Sequence, residues 1–178
     1  LQDLWYNSLL RANKSSDGTV RYIMLESVRQ YSQNQLTQSI VSSHAGENTA
    51  CLDVGKRHAT YFSQYGTRGY FSLLDGVSSS RAWSVLFEEM DNLIAGTKYG
   101  DAREAALCCL AALKALGMRG PVSLGIELAT RVLHYPDLPR LMQKKIKLER
   151  SRYLRLSGRI REAREDVVET NFTPKKTQ

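Results

Sequence analysis

The chain has 178 residues, 42% of them hydrophobic and 24% charged, and a formal net charge of +7. That balance excludes wholesale disorder and suits one compact domain or a short helical array. The longest strictly apolar run, residues 105–113, falls far short of the roughly 20 residues a membrane span needs, so no membrane contact is expected.

The chain opens on Leu1, with no basic segment leading into an apolar one, and reads as a fragment without a secretory signal. Residues 1–10 set Leu1, Leu4, Trp5 and Leu9 at helical spacing. Residues 8–13 read as a strand, Lys14 to Gly18 as a turn, and Thr19 to Leu25 as the returning strand. A helix then a β-hairpin is how a winged-helix domain ends. A helix is predicted over 26–40, with Leu25, Val28, Leu36 and Ile40 inward, and a loop over Ser42 to Asn48. A helix over 51–65 keeps Val54, His58, Tyr61, Phe62 and Tyr65 near one side. Gly66, Gly69, Gly76 and a serine run make 66–80 a linker with at most one helical turn.

Residues 80–94 form the cleanest amphipathic pattern. Trp83, Leu86, Phe87, Met90, Leu93 and Ile94 follow the i, i+3, i+4, i+7 rule. Ser80 is the expected N-cap and Gly96 the expected stop. This aromatic stripe reads as core, with a partner-binding groove as the other reading.

From Asp101 on, the sequence repeats with an offset of 38 residues, marked by Gly120 and Gly158 and by a small residue five positions later, Gly125 and Ala163. Each unit is a helix pair: 102–116 with 122–133, then 138–156 with 160–168. The glycine serves the turn, and the small residue allows close helix packing. Tyr153, Gly158 and Ala163 keep the spacing of the tetratricopeptide motif. The first unit lacks the aromatic. Residues 171–178 are polar and basic and are expected to fray or to begin a further unit.

Candidate chemistry is sparse. There is no Gly-x-Ser-x-Gly elbow and no phosphate-binding loop. His44, His58 and His134 form no metal-ligand spacing with Cys51, Cys108 and Cys109. No catalytic residue, metal or cofactor is expected. Three cysteines, two adjacent in an apolar helix, suit a reducing, cytoplasmic compartment and a packing role.

The whole charge excess lies in residues 101–178, and residues 140–164 carry ten Lys/Arg against two Glu. Arg140, Lys144, Lys147 and Arg155 share a narrow sector of one helix, opposite Leu138, Met142, Ile146 and Tyr153. This candidate interaction face reads as a solvated surface, a dock for an acidic protein surface, or a nucleic-acid-binding face.

Four segments in order carry a resemblance: Ser8-Leu9-Leu10, Arg21 to Tyr31 (RYIMLESVRQY), Arg57 to Phe62 (RHATYF) and Glu89 to Leu93 (EMDNL). Together they resemble the junction between the winged-helix region and the helical repeats of STAND-class signalling ATPases found as bacterial multidomain transcriptional regulators. The resemblance implies a mainly α fold: a right-handed, tetratricopeptide-like array with a small N-terminal β-hairpin from a winged-helix remnant. It implies a division into 1–40, the C-terminal part of the winged helix; 41–100, linking helices; and 101–178, helix-pair repeats. It also implies a non-catalytic regulatory scaffold whose partners are other domains of its parent, a protein or a small ligand. The alternative is a nucleic-acid-binding module using the 140–164 face. The expected core includes Trp83, Leu86, Phe87, Met90, Tyr153, Gly158 and Ala163.

Overall fold

The computed structural model describes residues 2–14, 20–42, 48–77 and 79–171. The expected turn at Lys14 to Gly18, apart from Lys14 itself, nearly all of the loop at Ser42 to Asn48, and the tail beyond 171 lie outside the described residues. So do the side chains of Leu36 and Ile40. The elements are α1 (Gln2–Tyr6), β1 (Leu10–Lys14), β2 (Val20–Met24), α2 (Glu26–Ser42), α3 (Asn48–Ser63), a 3-10 turn (Gln64–Gly66), α4 (Arg68–Leu74), α5 (Ser79–Glu88), α6 (Met90–Tyr99), α7 (Ala102–Arg119), α8 (Val122–Leu133), α9 (Arg140–Leu156) and α10 (Ile160–Asn171). The chain is mainly α, with one small antiparallel hairpin.

Two units divide at Cys51 and Leu52. In the first, β1 pairs with β2 from Leu10 opposite Met24 to Lys14 opposite Val20. Leu10 is the one buried residue among those described here, while Trp5, Tyr6, Tyr22 and Ile23 stay exposed. A two-stranded ribbon with so little covered area gains little from burial.

The second unit is built around α7. Asp101 caps this helix by accepting from the Glu104 amide at 2.8 Å, and the Glu104 carboxylate accepts from the Asp101 amide at 3.1 Å. That reciprocal capping box satisfies two donors that a helix start leaves free. The following run of Ala, Leu and Cys is buried on nearly all sides, because α7 meets α5, α6, α8, α9 and the 3-10 turn. A helix that is apolar all round belongs in the middle of a fold or in a membrane. Here neighbouring helices cover it, and no described helix is long and apolar enough to cross a membrane. Cys108 and Cys109 are fully buried in that run, as their place in an apolar helix suggested.

The turns between α7 and α8 and between α9 and α10 fall at the expected glycines. Gly120 and Gly158 take φ of +69° and +79°, a region that residues with a Cβ rarely occupy. The small residue after Gly120 acts differently from the expectation. Gly125 faces the ring of Tyr153 on α9, where a Cβ would lie 2.6 Å from Cε1. Its small size therefore joins the first helix pair to the second. Ala163 is buried.

Three local expectations change. The predicted single helix over 80–94 is two, α5 and α6, with a break at Glu89. Gly96 is not a stop. It lies inside α6, where a Cβ would meet the Cys108 sulfur at 2.6 Å. The expected linker contains α4, capped by Thr67, whose hydroxyl accepts from the Tyr70 amide at 3.3 Å.

Candidate functional site

A groove of about 420 Å³ opens beside the C-terminal half of α7. Its floor is Leu113 and Gly117 of α7. One wall comes from Phe71 of α4 and Trp83 of α5, the other from Glu149, Arg152 and Tyr153 of α9. These walls converge because α5 and α9 both pack on α7.

The aromatic side chains are held in place. Trp83 Nε1 donates to the Leu74 carbonyl at 3.3 Å, and its ring stacks on Phe87 with centroids 5.7 Å apart. The Arg119 guanidinium covers Phe87, 3.7 Å from the ring centre. The Tyr153 hydroxyl donates to the Leu113 carbonyl across the core. Burial, and then the nearby Glu149 charge, push the Tyr153 phenol well above its ordinary range, so it stays protonated.

The rim is charged and internally balanced. Lys114 Nζ lies 3.7 Å from Glu149 Oε1 and 5.8 Å from the Phe71 ring centre. Arg152 Nη1 donates to Glu149 Oε2 at 3.1 Å. Asp75 completes the lining. Glu149 is mostly covered, while Lys114 and Arg152 reach further into solvent. Aromatic walls, a few oriented polar groups and concave shape suit recognition of a segment or small molecule.

The groups with nucleophilic or ligating character lie elsewhere. Burial, and then Glu104, push the Cys108 thiol up to about 12. Burial, and then Cys108, raise Cys109 further. Thiols in that state are poor nucleophiles. His58 stands 3.4 Å from Asn92 Oδ1 and 4.5 Å, centre to centre, from the Phe62 ring, so it is packed. Among the described residues no group of three or more His, Cys, Asp or Glu could hold a metal ion.

The basic face divides. Arg140 and Arg155 are exposed and Lys144 is half-buried, while Lys147 is mostly covered and pairs with Glu169 of α10. That pair holds Glu169 below the usual carboxylate range. Arg150 spans Asp166 with bonds of 2.8 and 2.6 Å and reaches Thr130 at 3.2 Å. Arg159 grips Glu162 through two bonds of 2.6 Å. Four of the ten cations between 140 and 164 thus have carboxylate partners. Arg140, Lys144, Lys145, Arg155, Arg161 and Arg164 have none among the described residues.

Of the residues expected in the core, Leu86, Tyr153 and Ala163 are buried, and Trp83, Phe87 and Met90 are half-buried against it. Gly158 is exposed at its turn. Sequence reasoning missed Phe71, Lys114, Glu149 and Arg152. The i, i+3 spacing of Glu149 and Arg152 was the one readable signal. The chain matches no protein-family model, no curated protein and no solved structure.

Proposed function

We propose that this chain is a non-catalytic interaction scaffold whose α7 groove accepts a peptide segment or small ligand. The observation that carries this reading is the groove itself: Trp83 and Tyr153 are fixed by backbone bonds, and beside them Lys114 and Arg152 both pair with Glu149. Stacked helix pairs serve as recognition surfaces in repeat proteins because their concave sides combine side chains from several helices.

The ordered segments Arg21 to Tyr31, Arg57 to Phe62 and Glu89 to Leu93 support a place within a STAND-type signalling ATPase. In that setting, groove occupancy biases the parent's switch. A ligand does so only through different affinities for the two states, and a coupling of about 1–3 kcal/mol is typical. A nucleic-acid role for the 140–164 face is less favoured, because its unpaired cations flank exposed leucine, isoleucine and valine rather than forming an unbroken basic surface.

Peptides selected from a random display library on the immobilised chain test the reading. They are expected to bind in solution, and the double substitution Lys114→Glu with Arg152→Glu is expected to weaken them about tenfold, or about 1.4 kcal/mol. Selection that returns only peptides indifferent to that substitution contradicts it.

A further inference from the structure

A second surface lies on α9 and α10, on residues that, apart from the neighbouring Arg152 and Leu156, do not line the groove. On α9, Leu141, Leu148 and Arg155 are seven residues apart and run nearly straight down one side of the helix. Leu141 and Leu148 are 64% and 53% exposed. On α10, Ile160, Arg164 and Val168 are four apart and share a face. Ile160 and Val168 are 50% and 61% exposed. The α10 stripe borders the C-terminal end of the α9 stripe, since Arg155, Ile160, Arg164 and Val168 line one open cavity of about 470 Å³ that also takes in the buried Ala163.

Antiparallel neighbours each showing an apolar stripe offer a seat for a third helix. From Leu141 to Arg155 the stripe spans 14 residues of α9, about 21 Å, or roughly four helical turns. Charge selects the occupant. Arg140, Lys144, Lys145, Arg155, Arg161 and Arg164 stand on or beside the stripes with no partner among the described residues. Three α10 acids are already committed, Glu162 to Arg159, Asp166 to Arg150 and Glu169 to Lys147. Glu165 is the α10 acid left over, and it cannot neutralise six cations. A second copy meeting this face with the same face would set Arg155 and Arg164 against their own kind, at a cost.

We infer that the Leu141–Leu148 and Ile160–Val168 stripes dock an acidic amphipathic helix of a separate partner protein. Its apolar side covers the exposed leucines of α9 and the exposed isoleucine and valine of α10, and its carboxylates meet the surrounding arginines and lysines. This docking does not depend on the α7 groove.

The test uses a stapled helical peptide of about fourteen residues, with Leu at i, i+4, i+7 and i+11 and Glu on both flanks. A control peptide carries Lys in place of every Glu. Fluorescence anisotropy at physiological salt is expected to show saturable binding of the acidic peptide and about tenfold weaker binding of the lysine peptide. Val168→Glu and the pair Arg155→Glu with Arg164→Glu each weaken the acidic peptide by a similar factor. All three positions lie on exposed helix surface or at the cavity rim, and circular dichroism checks that each variant is folded. Lys114→Glu, at a groove residue on α7 and outside both stripes, leaves this binding unchanged, which separates it from the groove. Equal binding of both peptides, no binding, or indifference to Val168→Glu overturns the inference. So does self-association of the chain that Val168→Glu abolishes, or displacement of the peptide by duplex DNA at lower concentration than by unlabelled peptide.

Discussion

The ring of Tyr153 lies over Gly125, and a Cβ at residue 125 would come within 2.6 Å of the ring. Tyr153 belongs to the second helix pair and Gly125 to the first, so this contact sets how closely the pairs stack. Gly125→Val should cost about 2–3 kcal/mol, because a buried ring must move to admit the new atoms. Urea unfolding of the variant measures it. A loss within about 0.5 kcal/mol, the range of an ordinary surface change, would mean that the contact does not set the spacing.

Gly158 gives the complementary case. Nothing lies within 4 Å of a Cβ built there, yet φ is +79°. Gly158→Ala should therefore cost about 1 kcal/mol from backbone conformation alone. A stabilised alanine variant in the same unfolding assay would contradict the left-handed turn.

Asp166 is 2% exposed, and Arg150 grips it through two nitrogens. Asp166→Ala strands the Arg150 guanidinium in a partly buried place and should cost about 3 kcal/mol. Replacing both residues with apolar ones should recover much of that loss, since removing both charges also removes the desolvation cost. A double variant as unstable as Asp166→Ala would show that packing, rather than the stranded charge, dominates.

The Cys108 thiol is pushed up to about 12 and Cys109 is raised as well, both chiefly by burial. An acid whose pKa is raised on folding stays neutral at ordinary pH, so thiolate forms first in the unfolded chain. Iodoacetamide at mildly alkaline pH should label Cys108 and Cys109 only after unfolding, with peptide mass mapping as the readout. Rapid labelling of either residue in the folded chain would contradict their burial.

The helices from α7 to α10 and the turns between the members of each pair were legible in the sequence because turn glycines and apolar periodicity are local signals. Gly120, Gly158 and the bounds of α8 follow from them directly. The break at Glu89 was not legible. The stripe from Trp83 to Ile94 keeps its phase across a one-residue interruption, so periodicity alone reads one helix. Gly96 misled because helix-end glycine and close-contact glycine look alike until Cys108 is seen against it. Phe71 was hidden in a segment whose glycines and serines resemble a linker, although Thr67 supplies a cap. The pairing of Lys147 was invisible for a different reason: its partner Glu169 is 22 residues away and outside the basic window. The groove shared that difficulty, since α4, α5, α7 and α9 each contribute to it and only tertiary packing assembles them.

We propose the groove beside α7 as a recognition site, and its own tryptophan can report on it. Trp83 lines it, and the chain has one other tryptophan, Trp5. In a Trp5→Phe background, emission from Trp83 can be followed while a library-selected peptide is titrated. A saturable spectral shift that Lys114→Glu with Arg152→Glu weakens about tenfold is the expected result. Binding that leaves Trp83 emission untouched and ignores both substitutions would contradict the claim.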